Sequence, residues 1–192
     1  GGGQVLGYAA GHVAENASSI GTAIIRGDNS LWDTGTAGLS VGAGGHGSLT
    51  IENGGEARSG FAVIGSADDS SGDVLITGTG SAWTVTTMSS ATARISSRGG
   101  ADSVLNIGAA AGSGGAVAGI LDAPVLTFDV VGAGSATLVF NHTAGAADNY
   151  GFSADLISNA TGNGNILHQR GVTYYTGNGS GFTGSTDVDG GQ

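Results

Sequence analysis

Ile25-Arg26-Gly27-Asp28-Asn29-Ser30-Leu31-Trp32 and Ile76-Thr77-Gly78-Thr79-Gly80-Ser81-Ala82-Trp83 carry isoleucine, glycine, serine and tryptophan at identical spacing, 51 positions apart. Midway stands Ile51-Glu52-Asn53-Gly54-Gly55, with its isoleucine in register and glycine near the same turn, so isoleucine recurs at intervals of 26 and 25. A second series, Leu39-Ser40-Val41-Gly42, Ala62-Val63-Ile64-Gly65 and Leu105-Asn106-Ile107-Gly108, falls at offsets of 23 and 43. Repeats of roughly 20 to 50 residues are the mark of stacked units, each too small to bury a core alone.

Outward from these segments the chain alternates short apolar runs with turns of glycine, serine, asparagine and aspartate, and no stretch sustains a helical period. The pattern predicts strands at Ala23-Ile25, Leu49-Ile51, Ala62-Ile64, Val74-Ile76, Trp83-Val85, Ala93-Ile95, Val104-Ile107, Val125-Phe128, Ala136-Phe140, Ile166-Leu167 and Val172-Tyr175. Ala109-Gly119 reads as loop and tight turn, because each glycine there would weaken a helix by ~1 kcal/mol. Leu49 and Ile51 point inward and Thr50 outward. Repeated glycines serve corners that need positive φ or close backbone approach. An antiparallel sandwich would also give many short strands but not matched octapeptides. The expected fold is all-β, a parallel β-helix (β-solenoid) of about eight coils.

Composition narrows the function. Of 192 residues, 40 are glycine, one is proline and none is cysteine; without an every-third-residue glycine repeat, collagen is excluded. A content of 39% hydrophobic and 10% charged residues is too apolar for ordinary disorder. Five arginines, no lysine and a net charge of −10 leave no basic face for a nucleic-acid backbone or anionic lipid. Apolar runs such as Ala116-Val117-Ala118 fall far short of the ~18 residues that span a bilayer, so no direct membrane insertion is expected. Absence of cysteine excludes disulfides and thiolate metal sites and suits any compartment. Gly1-Gly2-Gly3-Gln4 lacks the features of a signal peptide, and both ends read as cut from something longer.

Gly47-Ser48-Leu49-Thr50-Ile51-Glu52-Asn53-Gly54-Gly55-Glu56-Ala57, followed by Ile64-Gly65 and Gly78-Thr79-Gly80-Ser81-Ala82-Trp83, resembles the repeats of bacterial autotransporter passenger domains. Leu138-Val139-Phe140-Asn141-His142-Thr143, Tyr150-Gly151-Phe152-Ser153, Gly162-Asn163-Gly164, Gly171-Val172-Thr173-Tyr174-Tyr175-Thr176-Gly177 and Phe182-Thr183-Gly184-Ser185-Thr186-Asp187-Val188-Asp189-Gly190-Gly191 are similar to the passenger-associated transport repeat beside that family's membrane barrel. The resemblance spans about residues 22–191. It implies a right-handed parallel β-helix, part of a longer passenger exported by type V secretion and displayed at, or released from, a Gram-negative outer membrane. Most members of this type act in adhesion, self-association or biofilm formation, and in virulence, although the family also includes proteases and esterases with added catalytic domains. Residues 1–124 are then coils with the repeated Ile-x-Gly-x-x-Ser-x-Trp motif, and 125–192 the membrane-proximal repeat region, continuous with the same solenoid. Asn178-Gly179-Ser180-Gly181 departs from the family pattern as an insertion, and the chain stops at Gln192 where the family continues into Gly-Gly-x-Leu. The barrel is not in this chain.

No catalytic residues and no cofactor are expected. Arg26-Gly27-Asp28 is a tripeptide that integrins recognise at an exposed turn, and it is the one candidate ligand-binding site; the counterpart Thr77-Gly78-Thr79 shows that its glycine answers to the turn. Asp28-Asn29-Ser30 carries Leu31 where a serine-protease nucleophile segment has glycine, and Ser81 repeats Ser30 as a corner serine bonding the backbone. His12, His46, His142 and His168 are scattered singly and read as turn or surface residues rather than metal ligands. Asp68, Asp69 and Asp73 read as a solvated acidic loop, and Gly42-Ala43-Gly44-Gly45-His46-Gly47 as a coil corner. Trp32 and Trp83 read as core or corner packing, with sugar stacking the alternative.

Three functional readings follow. The first is a structural and interaction protein whose polar β-helix face supports self-association or binds a host-cell or matrix receptor through many weak contacts. The second is a stalk and folding template that binds nothing. The third is a carbohydrate-active β-helix enzyme, which needs acids clustered on one face.

Overall fold

A computed structural model of the chain describes residues 2–7, 9–86, 92–159 and 164–191; residues 160–163, which carry part of Gly162-Asn163-Gly164, lie outside them. Every described element is a strand, turn or bend, and among the described residues there is no helix. The strands run in sets of three. The first sets are β1 (Gln4–Leu6), β2 (Gly11–Val13) and β3 (Ile20–Arg26), then β4 (Leu31–Asp33), β5 (Gly38–Val41) and β6 (His46–Glu52). They continue as β7 (Glu56–Ser59), β8 (Phe61–Ile64) and β9 (Ser71–Thr77), then β10 (Ala82–Val85), β11 (Thr92–Gly99) and β12 (Ser103–Gly108). Next come β13 (Ile120–Asp122), β14 (Val125–Gly132) and β15 (Ala136–Asn141), then β16 (Tyr150–Phe152), β17 (Asp155–Ser158) and β18 (Gly164–Arg170), and finally β19 (Thr173–Tyr175) and β20 (Ser185–Val188).

Strand pairing turns this order into stacked sheets. The first sheet is β1-β4-β7-β10-β13, the second β2-β5-β8-β11-β14-β17, and the third β3-β6-β9-β12-β15-β18-β20, with β16 and β19 forming a two-stranded sheet. Each strand up to β12, and β14, β15 and β16 after it, pairs in parallel with the one three places later, as in Ile25↔Ile51 and Ile51↔Ile76, while β13 ends the first sheet. The architecture is all-β with parallel strands in stacked sheets, consistent with a β-solenoid.

The isoleucine series is an inward column of the third sheet, continuing through Ile107, Phe140, His168 and Val188. Ile51, Ile76 and Ile107 are fully buried, each burial stabilising by roughly 1.5–3 kcal/mol. Trp32 and Trp83 lie in the first sheet with Ala57 between them, two strand steps apart. Large and small side chains thus alternate along that column, where two adjacent indoles would crowd.

The second apolar series divides. Leu39-Val41 does pair with Ala62-Ile64, but Leu105-Ile107 belongs to the third sheet, and β8 continues instead into Ala93–Ile95 of β11. Gly42, Gly65 and Gly108 all follow a strand at positive φ. Both sheets therefore end strands with the same local chemistry, which made two different corners read alike. Ala109–Gly119 is loop and bridge, as expected, and is held by Asn141 Nδ2 donating to the carbonyls of Ala110 at 2.9 Å and Ser113 at 3.0 Å. Gly42–Gly45 forms the corner between β5 and β6.

The corner after the isoleucines needs glycine for a specific reason. Gly27, Gly54 and Gly78 have φ of 90°, 84° and 87°, a region costly for side chains bearing a Cβ. At Gly54 a Cβ would also collide with Asp28 Oδ1 from the strand set before. The serine that follows bonds the backbone in both octapeptides: Ser30 Oγ donates to Arg26 O at 2.7 Å, and Ser81 Oγ accepts from Gly54 N–H at 3.1 Å.

Candidate interaction face and a buried histidine pair

Alternation along the third sheet sends every second side chain outward. Parallel register then stacks these residues into columns: Thr22, Ser48 and Asp73 in one, Ile24, Thr50 and Leu75 in the next, and Ile20, His46 and Ser71 in a third. His46 Nδ1 and Ser71 Oγ are 2.7 Å apart, and Arg26 pairs with Glu52 on the neighbouring strand. Ile20 and Ile24 are exposed beside the polar residues. From β12 onward one of these columns becomes buried, at Asn106 and Val139, while the Thr22 column stays half-buried at Val104 and Thr137. Asn106 Nδ2 donates to Asp73 Oδ1 at 3.1 Å and to Val74 O at 3.2 Å. Outward positions are exposed at Ile20, Thr22 and Ile24 of β3, His46 of β6 and Asp73 of β9, and half-buried at Ser48, Thr50 and Leu75.

Arg26-Gly27-Asp28 sits at the end of β3, its arginine and aspartate exposed. Its arginine is already engaged along the stack. The guanidinium meets Glu52, and the Asp28 carboxylate lies over Gly54. A receptor binding this tripeptide would have to compete with Glu52 for Arg26.

On the second sheet, register collects a polar cluster that no local motif announces. Asp129 of β14 is buried, its Oδ2 lying 3.4 Å from Arg94 Nη1 and 3.1 Å from Arg98 Nη2 of β11. Asn159 Nδ2 donates to its Oδ1 at 2.7 Å. Arg94 and Arg98 are four residues apart on one strand face, with Ser96 between them opposite Asp129. Such a cluster ties adjacent strands together, since the carboxylate would otherwise be a buried unpaired charge.

The histidines correct the sequence reading. His12 and His46 are exposed, but His142 and His168 are buried and brought together: their ring centroids are 5.9 Å apart and near-perpendicular. Their Nε2 atoms lie 2.8 Å and 2.9 Å from one hydroxyl, Thr173 Oγ1. Phe140 and Tyr150 stack around them. Burial, with His168 close by, pushes His142 down to about 4, and burial also lowers His168. Burial pushes the Tyr150 phenol up to about 12. The position of His168 in the inward column, opposite Phe140, was the available signal. It was hidden because the column is isoleucine until β12 and then changes residue type. Next to the pair, an apolar cleft of about 290 Å³ is lined by Phe152, Leu156, Ile166, Tyr175 and Phe182, with His168, Thr173 and Thr186 among its polar groups.

Other sequence candidates resolve simply. Trp83 is fully buried and donates from Nε1 to Ser59 Oγ at 3.0 Å, so it is core and not a sugar platform; Trp32 is half-buried against the same core. Asp68 and Asp69 are exposed. Across the described strand registers no carboxylate faces another. Among the described residues no group of three or more His, Cys, Asp or Glu converges as a metal ion would require. A scan against protein-family models and searches of curated proteins and of solved structures found no match to this chain.

Proposed function

We propose that this chain is an interaction segment of a surface-displayed or secreted bacterial passenger of the autotransporter type, a right-handed β-helix of about eight coils acting by adhesion or self-association. The observation that carries the reading is the partly exposed ladder of β3, β6 and β9, where Thr22, Ser48 and Asp73 stand beside Ile24, Thr50 and Leu75 in register. A regular face of this kind offers many equivalent weak contacts, which multiply through avidity when two such faces align. Partners are a second passenger or a host-cell or matrix receptor, and the reading includes no enzymatic activity, nucleic acid or membrane insertion.

A second reading has its own support. Val139 of β15, at an outward position of the third sheet, is buried, which favours residues 125–192 as stalk and folding template. Growth of each new strand on an existing parallel edge gives such a template its physical basis.

Light scattering and small-angle scattering, from about 50 mM to about 500 mM salt, test the proposal. At a net charge of −10, like molecules repel at low ionic strength, so reversible dimers should strengthen as salt rises. Thr50→Arg, placed in the centre of the ladder, should abolish them. A monomer at every salt concentration, with no receptor retained on matrix or cell surfaces, would leave stalk and template as the function.

A further inference from the structure

The His142, His168 and Thr173 constellation joins three separate segments. His142 directly follows β15, His168 lies within β18 and Thr173 opens β19. A hydroxyl donates at most one hydrogen bond, so at least one ring must present a protonated Nε2 to Thr173 Oγ1. Both Nδ1 atoms are buried without a partner. Gly171 closes against the His142 Nδ1 edge and Gly191 against that of His168, leaving no space for a Cβ at either glycine.

No acid offsets the rings. Among the described residues neither imidazole forms an ion pair with a carboxylate. The groups facing them from β15, β16 and β19 are Phe140, Tyr150 and Thr173. Around β18 and β20 the nearest charged residues are Arg170 and Asp189, whose backbone groups bond His142 N–H and His168 O respectively. Both of these side chains are exposed residues. An added proton on either ring would therefore be a charge inside a largely aromatic surround; His168 has a backbone hydrogen bond that favours the charged ring, and burial outweighs it.

We infer that this pair is an acid-sensitive latch: while both rings are neutral they hold β18 and β19 through one shared hydroxyl, and protonation releases the C-terminal strands from the stack. The sign follows from linkage. His142 titrates near 4 when folded and near 6.5 when unfolded, so the open state binds more protons between those limits and closure weakens as pH falls. From about pH 6.5 to about pH 5, His142 alone shifts the open-to-closed ratio by about fifteenfold. His168, shifted the same way, adds to it.

Amide hydrogen exchange of the whole chain at about pH 7, 6 and 5, expressed as protection against intrinsic rates, tests the latch. Peptides covering 140–142, 150–152 and 166–175 should lose about tenfold protection or more, reversibly, while those covering 46–52 and 71–77 should change less than about threefold. In the double variant His142→Gln with His168→Gln, this pH dependence should disappear. Equal loss in the double variant, or full protection of the wild type at about pH 5, would overturn the inference. If the double variant does not fold, the wild-type imidazole resonances decide. Rings that stay neutral to about pH 5.5 and titrate only as protection is lost support the latch, whereas titration near 6.5 in a fully protected protein refutes it.

Discussion

The two ends of the strand stack are built along the same column with different chemistry. In β3, β6 and β9 the inward positions are Ile25, Ile51 and Ile76, spaced 26 and 25 residues apart, and the outward ones form a partly exposed ladder. In β15 and β18 the same column holds Phe140 and His168, ringed by Tyr150 and Phe152. The spacing between column members stretches to 31 between Ile76 and Ile107 and 33 between Ile107 and Phe140. Aliphatic repeats give a core indifferent to pH whose strength comes from area. The aromatic and histidine end adds hydrogen bonds that depend on protonation, so one continuous sheet carries two kinds of stability.

The sharpest way to break the comparison is in the aliphatic half. Trp83→Ala should destabilise by roughly 3–5 kcal/mol, because it empties a fully buried site and leaves Ser59 Oγ without its indole donor. Denaturant unfolding followed by β-sheet circular dichroism would read it, and a loss under about 1 kcal/mol would deny Trp83 its core role. Next comes Asp129→Asn, which leaves Arg94 and Arg98 facing each other with no counter-charge. Both guanidiniums are about one-third exposed, so solvent screening reduces the buried-pair cost to about 1–3 kcal/mol. The same denaturant measurement checks it.

Gly54→Ala should cost about 1–2 kcal/mol from its positive φ alone. Combining it with Asp28→Ala should recover only the part due to the collision with Oδ1, so thermal midpoints of the single and double variants separate strain from contact. The smallest effect belongs to Glu52→Gln. It releases an exposed Arg26 from an ion pair worth at most about 1 kcal/mol. Its value is functional: if Arg26-Gly27-Asp28 binds integrin, attachment of integrin-bearing cells should rise once Arg26 no longer has an internal partner. Unchanged attachment would remove the tripeptide from the list of ligands.

What was legible in the chain was whatever repeats locally. Three isoleucines, two tryptophans and the glycine and serine at their corners recur at fixed spacing, and the isoleucines and tryptophans fall in the register that spacing predicts. Short strands such as Leu31–Asp33, Glu56–Ser59 and Ile120–Asp122 were not legible. Three or four residues are too few to display alternation, and what makes them strands is a neighbour already in place. A polar outward face was expected, but where it becomes buried, as at Asn106 and Val139, depends on how later strands pack.

The sequence by itself determined the strand-and-corner composition, the absence of any helical period and the repeat that stacks parallel strands, since backbone conformation and side-chain alternation act over a few residues. Only the tertiary structure decided which turns share a sheet, that Arg94 and Arg98 meet Asp129, and that His142 and His168 meet at Thr173. Most of those partners lie about 30 positions apart, as with the 31 separating His142 from Thr173, whereas His168 and Thr173 are 5 apart. They are neighbours because each return of the chain lays a strand beside its predecessor, and that register is set by burial of the whole column.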